Sequence, residues 1–157
     1  MEQLRLVYPD KKISHLLSPD EIYHAADESL LSELKEDRRI ERKPAKTHPP
    51  ILGQYFSMWA NTVPSGGLLV LGMEDDGSFS GCSLLSPNEL NDREKAYRTH
   101  CPECRTESKR IGVTNIKGRE DFIVLFRTFY REDKVVPDAS GNAYTRIGVI
   151  FHEHSPI

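Results

Sequence analysis

Apolar residues recur at helical spacing in three parts of the chain. The first part follows residues 18–21 (Ser-Pro-Asp-Glu), where a serine N-cap, a proline at the first helical position and a glutamate at the third form a helix start signal. This helix is predicted to run to about Lys35. Residues 86–89 (Ser-Pro-Asn-Glu) repeat the signal and predict another helix. A wide apolar stripe over residues 51–60 predicts a third helix that ends near Asn61.

The pattern changes after Asn61 to short apolar or alternating runs, which are typical of strands. Residues 68–73 are continuously apolar, and the Glu-Asp-Asp-Gly at residues 74–77 indicates a tight hairpin turn, because Asp-Gly readily adopts positive φ angles. Residues 121–129 are apolar on both alternating sets of positions, so this strand is expected to be covered on both faces. The other predicted elements are the strands 78–82, 110–116 and 143–149 and the turn 117–120.

Strands joined by hairpins, with helices before and among them, indicate an α+β fold with a mixed or mostly antiparallel sheet packed against helices. The 157 residues suit a single domain. A domain of this size buries enough surface to need no disulfide or structural metal. We divide the chain into an N-terminal extension at residues 1–17, the domain at residues 18–150 and a tail at residues 151–157.

Composition excludes several classes of protein. The chain has 21 Lys and Arg against 24 Asp and Glu, and the net charge of −3 excludes nucleic-acid binding by bulk charge alone. No apolar run approaches the ~18 residues of a membrane span, and the first residues lack the apolar block of a secretion signal, so no membrane partner is expected. Three cysteines favour a reducing, cytoplasmic setting. The sequence contains neither a nucleotide P-loop nor a Gly-x-Ser-x-Gly elbow.

Charge is unevenly distributed along the chain. Residues 18–36 hold six acids and one lysine, whereas residues 35–46 hold six bases against three acids and residues 98–119 hold six bases against two acids. A charged run is ordinarily a solvated face, but a basic strip can also contact phosphate oxygens, with salt-sensitive affinity and little base specificity. The candidate phosphate contacts are Arg38, Arg39, Arg42, Lys43 and Lys46, with Lys109 and Arg110 as secondary candidates.

Five short motifs between Leu30 and Gly148 form a recognisable series. They are Glu-Asp-Arg-Arg-Ile-Glu-Arg-Lys at 36–43, Ala-Asn at 60–61, Gly-Gly at 66–67, Gly-Met-Glu-Asp-Asp-Gly at 72–77 and Tyr-Thr-Arg-Ile-Gly at 144–148. The series resembles the Schlafen-type, Alba-like DNA-binding domain, also called the divergent AAA-associated module. The resemblance implies an α+β fold, binding of DNA or RNA, a homodimer, and a place ahead of further regions in a transcriptional regulator or helicase-related protein. The chain departs from the family at Arg42, where an aromatic residue is common.

The resemblance also implies a candidate enzyme activity. Nucleases of the wider Schlafen family hold divalent metal with three carboxylates and cut RNA, and the first two of these fall on Glu36 and Glu41 and the third on Glu74 or Asp75. Carboxylates are the ligands that Mg²⁺ or Mn²⁺ needs for phosphodiester cleavage. Glu36 and Glu41 converge only if a helix ends near residues 35–37 and Glu41 lies on the strand that follows. Otherwise they are surface acids.

The segment His100-Cys101-Pro102-Glu103-Cys104 is a separate candidate metal motif. A Cys-x-x-Cys pair supplies half of a tetrahedral zinc site, and the other two ligands would have to come from elsewhere. Two alternatives are a redox-active pair, which would be expected at a helix start, and two ordinary reduced cysteines. The candidates for the remaining zinc ligands are Cys82, His48, His100, His152 and His154.

Three hypotheses for the function follow from these observations. The first is a nucleic-acid-binding module with low sequence specificity, and the second is an endoribonuclease that depends on Mg²⁺ or Mn²⁺. The third is a protein-interaction or regulatory domain without nucleic acid, which the acidic residues 18–36 favour.

Overall fold

The computed structural model describes residues 16–146 and 148–152, so most of the predicted N-terminal extension and tail lies outside the described residues. The observed elements are helices α1 (Pro19–Ala25), α2 (Glu28–Glu33), α3 (Pro49–Ala60), α4 (Pro87–Glu94) and α5 (Ala96–His100), and strands β1 (Ile40–Lys43), β2 (Gly67–Leu71), β3 (Arg105–Thr114), β4 (Glu120–Phe129), β5 (Asn142–Thr145) and β6 (Gly148–His152). The predicted α+β class is confirmed.

Four strands form a mixed sheet in the order β1-β2-β4-β3. Strand β1 runs parallel to β2, with Ile40 opposite Leu68, whereas β4 is antiparallel to both β2 and β3. Strands β5 and β6 pair antiparallel in a separate two-stranded sheet. The parallel pair places the start of β1 next to the start of β2, and this end of the sheet carries the candidate site.

Helices cover both faces of the four-stranded sheet. On one face, Ile22 of α1 and Leu31 of α2 pack with Leu68 and Val70 of β2. On the other face, Phe56 of α3 lies in a second core that contains the alternate residues of β2. All five residues of β2 are buried, and residues 123–128 of β4 are buried as well. The predicted cover on both faces of β4 is therefore confirmed.

The helix start signals form as predicted, but the first helix is shorter. Ser18 and Ser86 each make a complete capping box with the glutamate three residues later. The prediction of one helix to Lys35 is wrong, because Ala26 is extended (φ −61°, ψ 130°) and the Asp27 carboxylate accepts the Leu30 N–H at 2.8 Å to cap a new helix, α2. The stripe over residues 51–60 forms α3, which ends at Ala60 as expected.

Two predicted strands also need correction. The Glu-Asp-Asp-Gly turn forms, with Gly77 N–H donating to the Glu74 carbonyl at 2.9 Å, but the returning strand 78–82 reduces to one bridge between Met73 and Phe79. The chain leaves the strand path because the Asp121 carboxylate accepts the Cys82 and Ser83 N–H groups at 3.1 and 3.0 Å. The last strand, predicted over 143–149, is instead the antiparallel pair β5 and β6. Strand β3 begins at Arg105, five residues before the predicted start.

Candidate functional site

Glu36 and Glu41 come together at the start of β1. Helix α2 ends at Glu33, and the bend that follows lets the Glu36 carboxylate accept the Arg42 N–H at 2.7 Å. This contact brings Glu36 within hydrogen-bonding reach of the half-buried Glu41 carboxyl group. Burial, followed by the negative charge of Glu36, raises the pKa of Glu41. The Glu41 carboxyl group therefore favours its protonated form more than an isolated glutamate does.

Cationic and aromatic side chains surround this carboxylate pair. The Lys43 ammonium lies 3.7 Å from the Glu41 carboxylate and 4.7 Å from the centre of the Tyr55 ring. Burial lowers the pKa of Lys43, but the hydrogen bond to Tyr55 and the negative charges of Glu41 and Glu36 have the stronger combined effect. The pKa of Lys43 is therefore raised. The Arg146 guanidinium lies 5.2 Å from the centre of the Trp59 ring. Its positive charge opposes the rise in the pKa of Glu41, but burial and Glu36 have the stronger effect, so the pKa stays raised.

The expected third carboxylate does not join the pair. The Glu74 carboxylate accepts the Ser80 hydroxyl at 2.5 Å, and the exposed Asp75 contributes its backbone carbonyl to Arg42 at 2.9 Å. Within the described residues, no group of three or more His, Cys, Asp and Glu side chains is placed to hold a metal ion. Of the four acids predicted from the sequence, two are thus brought together.

Arg42 is buried rather than presented to solvent. It lies on the same face of β1 as Ile40, and only 7% of its surface is exposed. Its guanidinium donates to the carbonyl groups of Asp75 and Leu34, so it holds the 74–77 turn against the end of α2. Arg42 therefore lies outside any surface that a phosphate could reach, contrary to the expectation that it extends a basic strip.

An arginine cleft lies beside the carboxylate pair. Its volume is about 190 Å³, and no acidic side chain is among its lining residues. Arg38 is exposed and makes no hydrogen bond or ion pair with the described residues, whereas Arg39 is held by Asp37 at 2.7 Å and by the Leu17 carbonyl at 2.9 Å. The lining residues are Pro19, Arg38, Arg39, Thr62, Val63, Pro64, Ser65, Gly66 and Arg146.

Arg146 is the member of this cleft that the sequence reasoning missed. It lies in the Tyr-Thr-Arg-Ile-Gly motif, which carries part of the family resemblance but is not among the candidate phosphate contacts. The residue follows β5, and the contact of this hairpin with α3 delivers the guanidinium to the cleft. The motif itself was the available signal, since it carries the family resemblance and contains Arg146.

Gly66 lines the cleft, and steric contacts require glycine both there and at Gly67. Gly66 has φ +70°, and a Cβ there would lie 2.2 Å from the Thr128 carbonyl oxygen. A Cβ on Gly67 would lie 2.3 Å from the Trp59 ring. The glycines thus allow β2 to start directly beneath α3, which places the Ser65–Gly66 backbone beside the arginines.

The remaining basic candidates lie elsewhere and have partners. Lys46 pairs with Glu89 at 3.4 Å, the Lys109 ammonium lies 4.4 Å from the centre of the Tyr23 ring, and Arg110 binds both oxygens of Glu94 at 2.7 and 2.9 Å. Strand β3, which carries Lys109 and Arg110, is three strand spacings from β1, or about 14 Å. The two basic segments therefore do not form one surface.

The two cysteines of the Cys-x-x-Cys motif have no third ligand within the described residues. Cys104 contacts the Thr106 hydroxyl at 3.0 Å, and Cys101 donates to the Pro137 carbonyl at 3.5 Å. Cys82 lies in the second core, where its thiol donates to the Leu71 carbonyl at 3.3 Å. His48 precedes α3 and His100 ends α5. His154 and the side chain of His152 lie outside the described residues.

Together these features define an α+β protein with an arginine cleft and an adjacent carboxylate pair. No protein-family model and no curated protein matches the chain. Among solved structures, the chain is similar to the DIP2311 protein from Corynebacterium diphtheriae, with 19% sequence identity and a TM-score of 0.49, over 73% of this chain and 22% of that one. The chain thus spans about a fifth of the length of that protein. No helix among the described residues is long and apolar enough to cross a membrane.

Proposed function

We propose that this chain binds the phosphate backbone of a nucleic acid at the arginine cleft. The observation that carries the proposal is that Arg38, Arg39 and Arg146 line one cleft that contains no acidic side chain. Arginine forks donate in parallel to phosphate oxygens, and such contacts supply most of the affinity of proteins that bind nucleic acid without sequence preference. The resemblance to the Schlafen-type, Alba-like domain agrees with this function and stays a prediction, as do the homodimer and the cytoplasmic location.

The size and form of the cleft favour a backbone segment as the ligand. At about 190 Å³ it is smaller than the roughly 300–1,000 Å³ of pockets that enclose a small molecule. A phosphodiester group with part of its sugar needs less enclosure, because the rest of the polymer passes along the surface. Binding is expected to be insensitive to base sequence, since phosphate contacts position a nucleic acid without identifying its bases.

The test is a fluorescence anisotropy titration with a labelled single-stranded oligonucleotide, in chelator, at several salt concentrations. Because Asp37 already pairs with Arg39, the two phosphate contacts of Arg38 and Arg146 predict a slope of log K against log salt of about −1.4, since each contact on a single strand contributes about −0.7. Arg38→Ala should make the slope shallower by about 0.7, and Arg38→Ala with Arg146→Ala by twice that amount.

The matched control is Arg119→Ala. Arg119 is exposed in the β3–β4 turn, at the end of β4 remote from Gly66, and it should leave both affinity and slope unchanged. The proposal would be refuted by absence of binding at about 50 mM salt, by a slope near zero, or by cleft variants that behave like Arg119→Ala. Parallel titrations with duplex DNA and single-stranded RNA decide which nucleic acid is preferred.

A second function, metal-dependent cleavage of RNA, is favoured by the pairing of Glu36 with Glu41. Two carboxyl groups within hydrogen-bonding reach offer the hard oxygen ligands that Mg²⁺ or Mn²⁺ prefers. They lie beside Arg146, which also lines the cleft. Structured RNA incubated in Mn²⁺ should be cut, and both chelator and Glu41→Ala should abolish the cutting. Intact RNA in every lane would refute cleavage and leave the binding proposal standing.

A further inference from the structure

Cys101 and Cys104 are held together in a tight turn between the end of α5 and the start of β3, and not at the helix start expected for a redox-active pair. The Cys104 N–H donates to the Cys101 carbonyl at 3.0 Å, which closes a four-residue turn. Such turns bring their first and last Cα atoms within about 7 Å, and a disulfide spans about 4.4–6.8 Å between Cα atoms. The two thiols are also close enough to shift each other's pKa. A disulfide between them therefore needs little movement of the backbone.

Contacts on both sides fix this turn in place. The His100 carbonyl accepts the Ala139 N–H at 2.8 Å. The Glu103 carbonyl accepts from the Arg131 guanidinium at 2.9 Å, and the Glu103 carboxylate pairs with Lys134. Because the backbone is anchored before and after the cysteines, the thiols stay adjacent in the folded protein.

The two thiols occupy different environments. Cys101 is fully buried, whereas Cys104 is partly exposed and contacts the Thr106 hydroxyl. Hydrogen bonding from Cys101, and then from Thr106, lowers the pKa of Cys104 despite burial, while the bond to Cys104 and burial raise the pKa of Cys101. This asymmetry suits Cys104 as the thiol that reacts first and Cys101 as the thiol that completes the disulfide.

We propose that Cys101 and Cys104 form a reversible redox-active pair, which a low-molecular-weight disulfide oxidises to an intramolecular disulfide. The Cys104 thiolate attacks one sulfur of the oxidant, forms a mixed disulfide and releases one thiolate. Cys101 then loses its proton to water and attacks the Cys104 sulfur, which releases the second thiolate. Two protein thiols are oxidised and one small disulfide is reduced to two thiols, which take up the two protons. This pair is independent of the proposed nucleic-acid cleft.

Oxidised and reduced glutathione in varied ratios test this proposal on the folded chain. After alkylation of free thiols, trypsin releases residues 99–105 as one peptide that contains both cysteines and excludes Cys82. With rising oxidant this peptide should lose two hydrogens and escape alkylation, and dithiothreitol should reverse the change. Far-ultraviolet circular dichroism of the same samples confirms that the fold persists.

Single variants separate the roles of the three cysteines. Cys101→Ser should trap glutathione on Cys104, whereas Cys104→Ser should leave Cys101 unmodified. Cys82→Ser is the matched control, because burial, followed by the charge of Asp121, raises the pKa of Cys82 to about 12 and its loss should not alter oxidation. The proposal is overturned if both thiols of the 99–105 peptide remain free in excess oxidised glutathione, if the disulfide forms only in denaturant, or if the Cys101→Ser variant takes up no glutathione.

Discussion

Asn61 is expected to be one of the most important polar residues for the stability of this fold. It follows α3, and its side chain makes three hydrogen bonds to backbone groups far along the chain. The amide nitrogen donates to the carbonyls of Val136 and Tyr144, each at 3.0 Å, and the amide oxygen accepts the Val136 N–H at 2.9 Å. Ser57, one turn earlier in α3, adds a hydroxyl bond to the Val136 carbonyl at 2.7 Å. Asn61 thus ties both Val136 and β5 to α3.

The cost of Asn61→Ala follows from these three contacts. Each hydrogen bond contributes a net ~0.5–1.5 kcal/mol, so their loss should lower the free energy of unfolding by about 3 kcal/mol. The buried Val136 N–H would lose its acceptor, whereas the Val136 carbonyl would keep its bond from Ser57. A change of this size corresponds to a fall in Tm of about 6–12 °C for a domain of this length.

Urea unfolding followed by circular dichroism measures this change, with Asn88→Ala as the matched control. Asn88 is exposed in the first turn of α4 and its side chain has no hydrogen-bond partner within the described residues, so its replacement should change the free energy of unfolding by less than about 0.5 kcal/mol. Asn61→Asp keeps the acceptor for the Val136 N–H but directs a carboxylate oxygen towards the carbonyl oxygens of Val136 and Tyr144. It should therefore lower the free energy of unfolding by at least as much as Asn61→Ala. A loss below about 1 kcal/mol for Asn61→Ala would refute the reasoning.

Three further predictions concern single positions, and each is checked by urea unfolding. The pKa of Glu41 in the folded protein is raised above its ordinary value of 4.5. Glu41 therefore contributes to the free energy of unfolding at pH values below 4.5, and this contribution is lost as pH rises through the raised pKa. Glu41→Gln stays neutral, so it should gain stability relative to the natural chain between acid and neutral pH, and a constant difference would contradict this. Gly67→Ala should lower the free energy of unfolding by about 1–3 kcal/mol, because its Cβ would clash with the Trp59 ring. Gly112→Ala is the control and should be nearly neutral, because there is open space at its Cβ, so equal effects of the two substitutions would argue against the clash. Ser86→Ala should lower the free energy of unfolding by about 1 kcal/mol, because it removes the N-cap of α4. An unchanged free energy of unfolding would show that the capping box does not stabilise the helix.

Local chemistry explains which elements could be predicted from the sequence. The capping boxes of α1 and α4 depend on contacts between residues three apart, so their signal lies entirely within the motif. Strand β2 is apolar at every position because it is central in the sheet and covered on both faces. In contrast, the path of residues 78–83 is set by Asp121, which lies almost forty residues later and leaves no mark on the local pattern.

The candidate site was predictable only in part. The meeting of Glu36 and Glu41 depends on a break before β1, which the sequence allowed and the fold supplies. The burial of Arg42 follows from strand alternation, because Arg42 shares a face with the core residue Ile40. The position of Arg146 could not be derived in this way, since it depends on how β5 packs on α3.

Net charge is a poor guide to this molecule, because many of its acids are engaged within the fold. The acidic residues 18–36 favoured a protein-interaction surface, yet five of their six carboxylates contact described groups of the chain itself. Two accept N–H groups at helix starts, one accepts the Arg42 N–H of β1 at 2.7 Å, one accepts the Thr114 N–H of β3 at 3.2 Å, and one lies 3.5 Å from the Arg127 guanidinium. These carboxylates are those of Glu21, Asp27, Glu36, Glu28 and Asp20. At the cleft, Arg38 has no acidic partner within the described residues, whereas Asp37 binds Arg39 and the charge of Arg146 acts on Asp37 and Glu41. The local arrangement of charge, and not the net charge of −3, therefore decides whether a phosphate can bind.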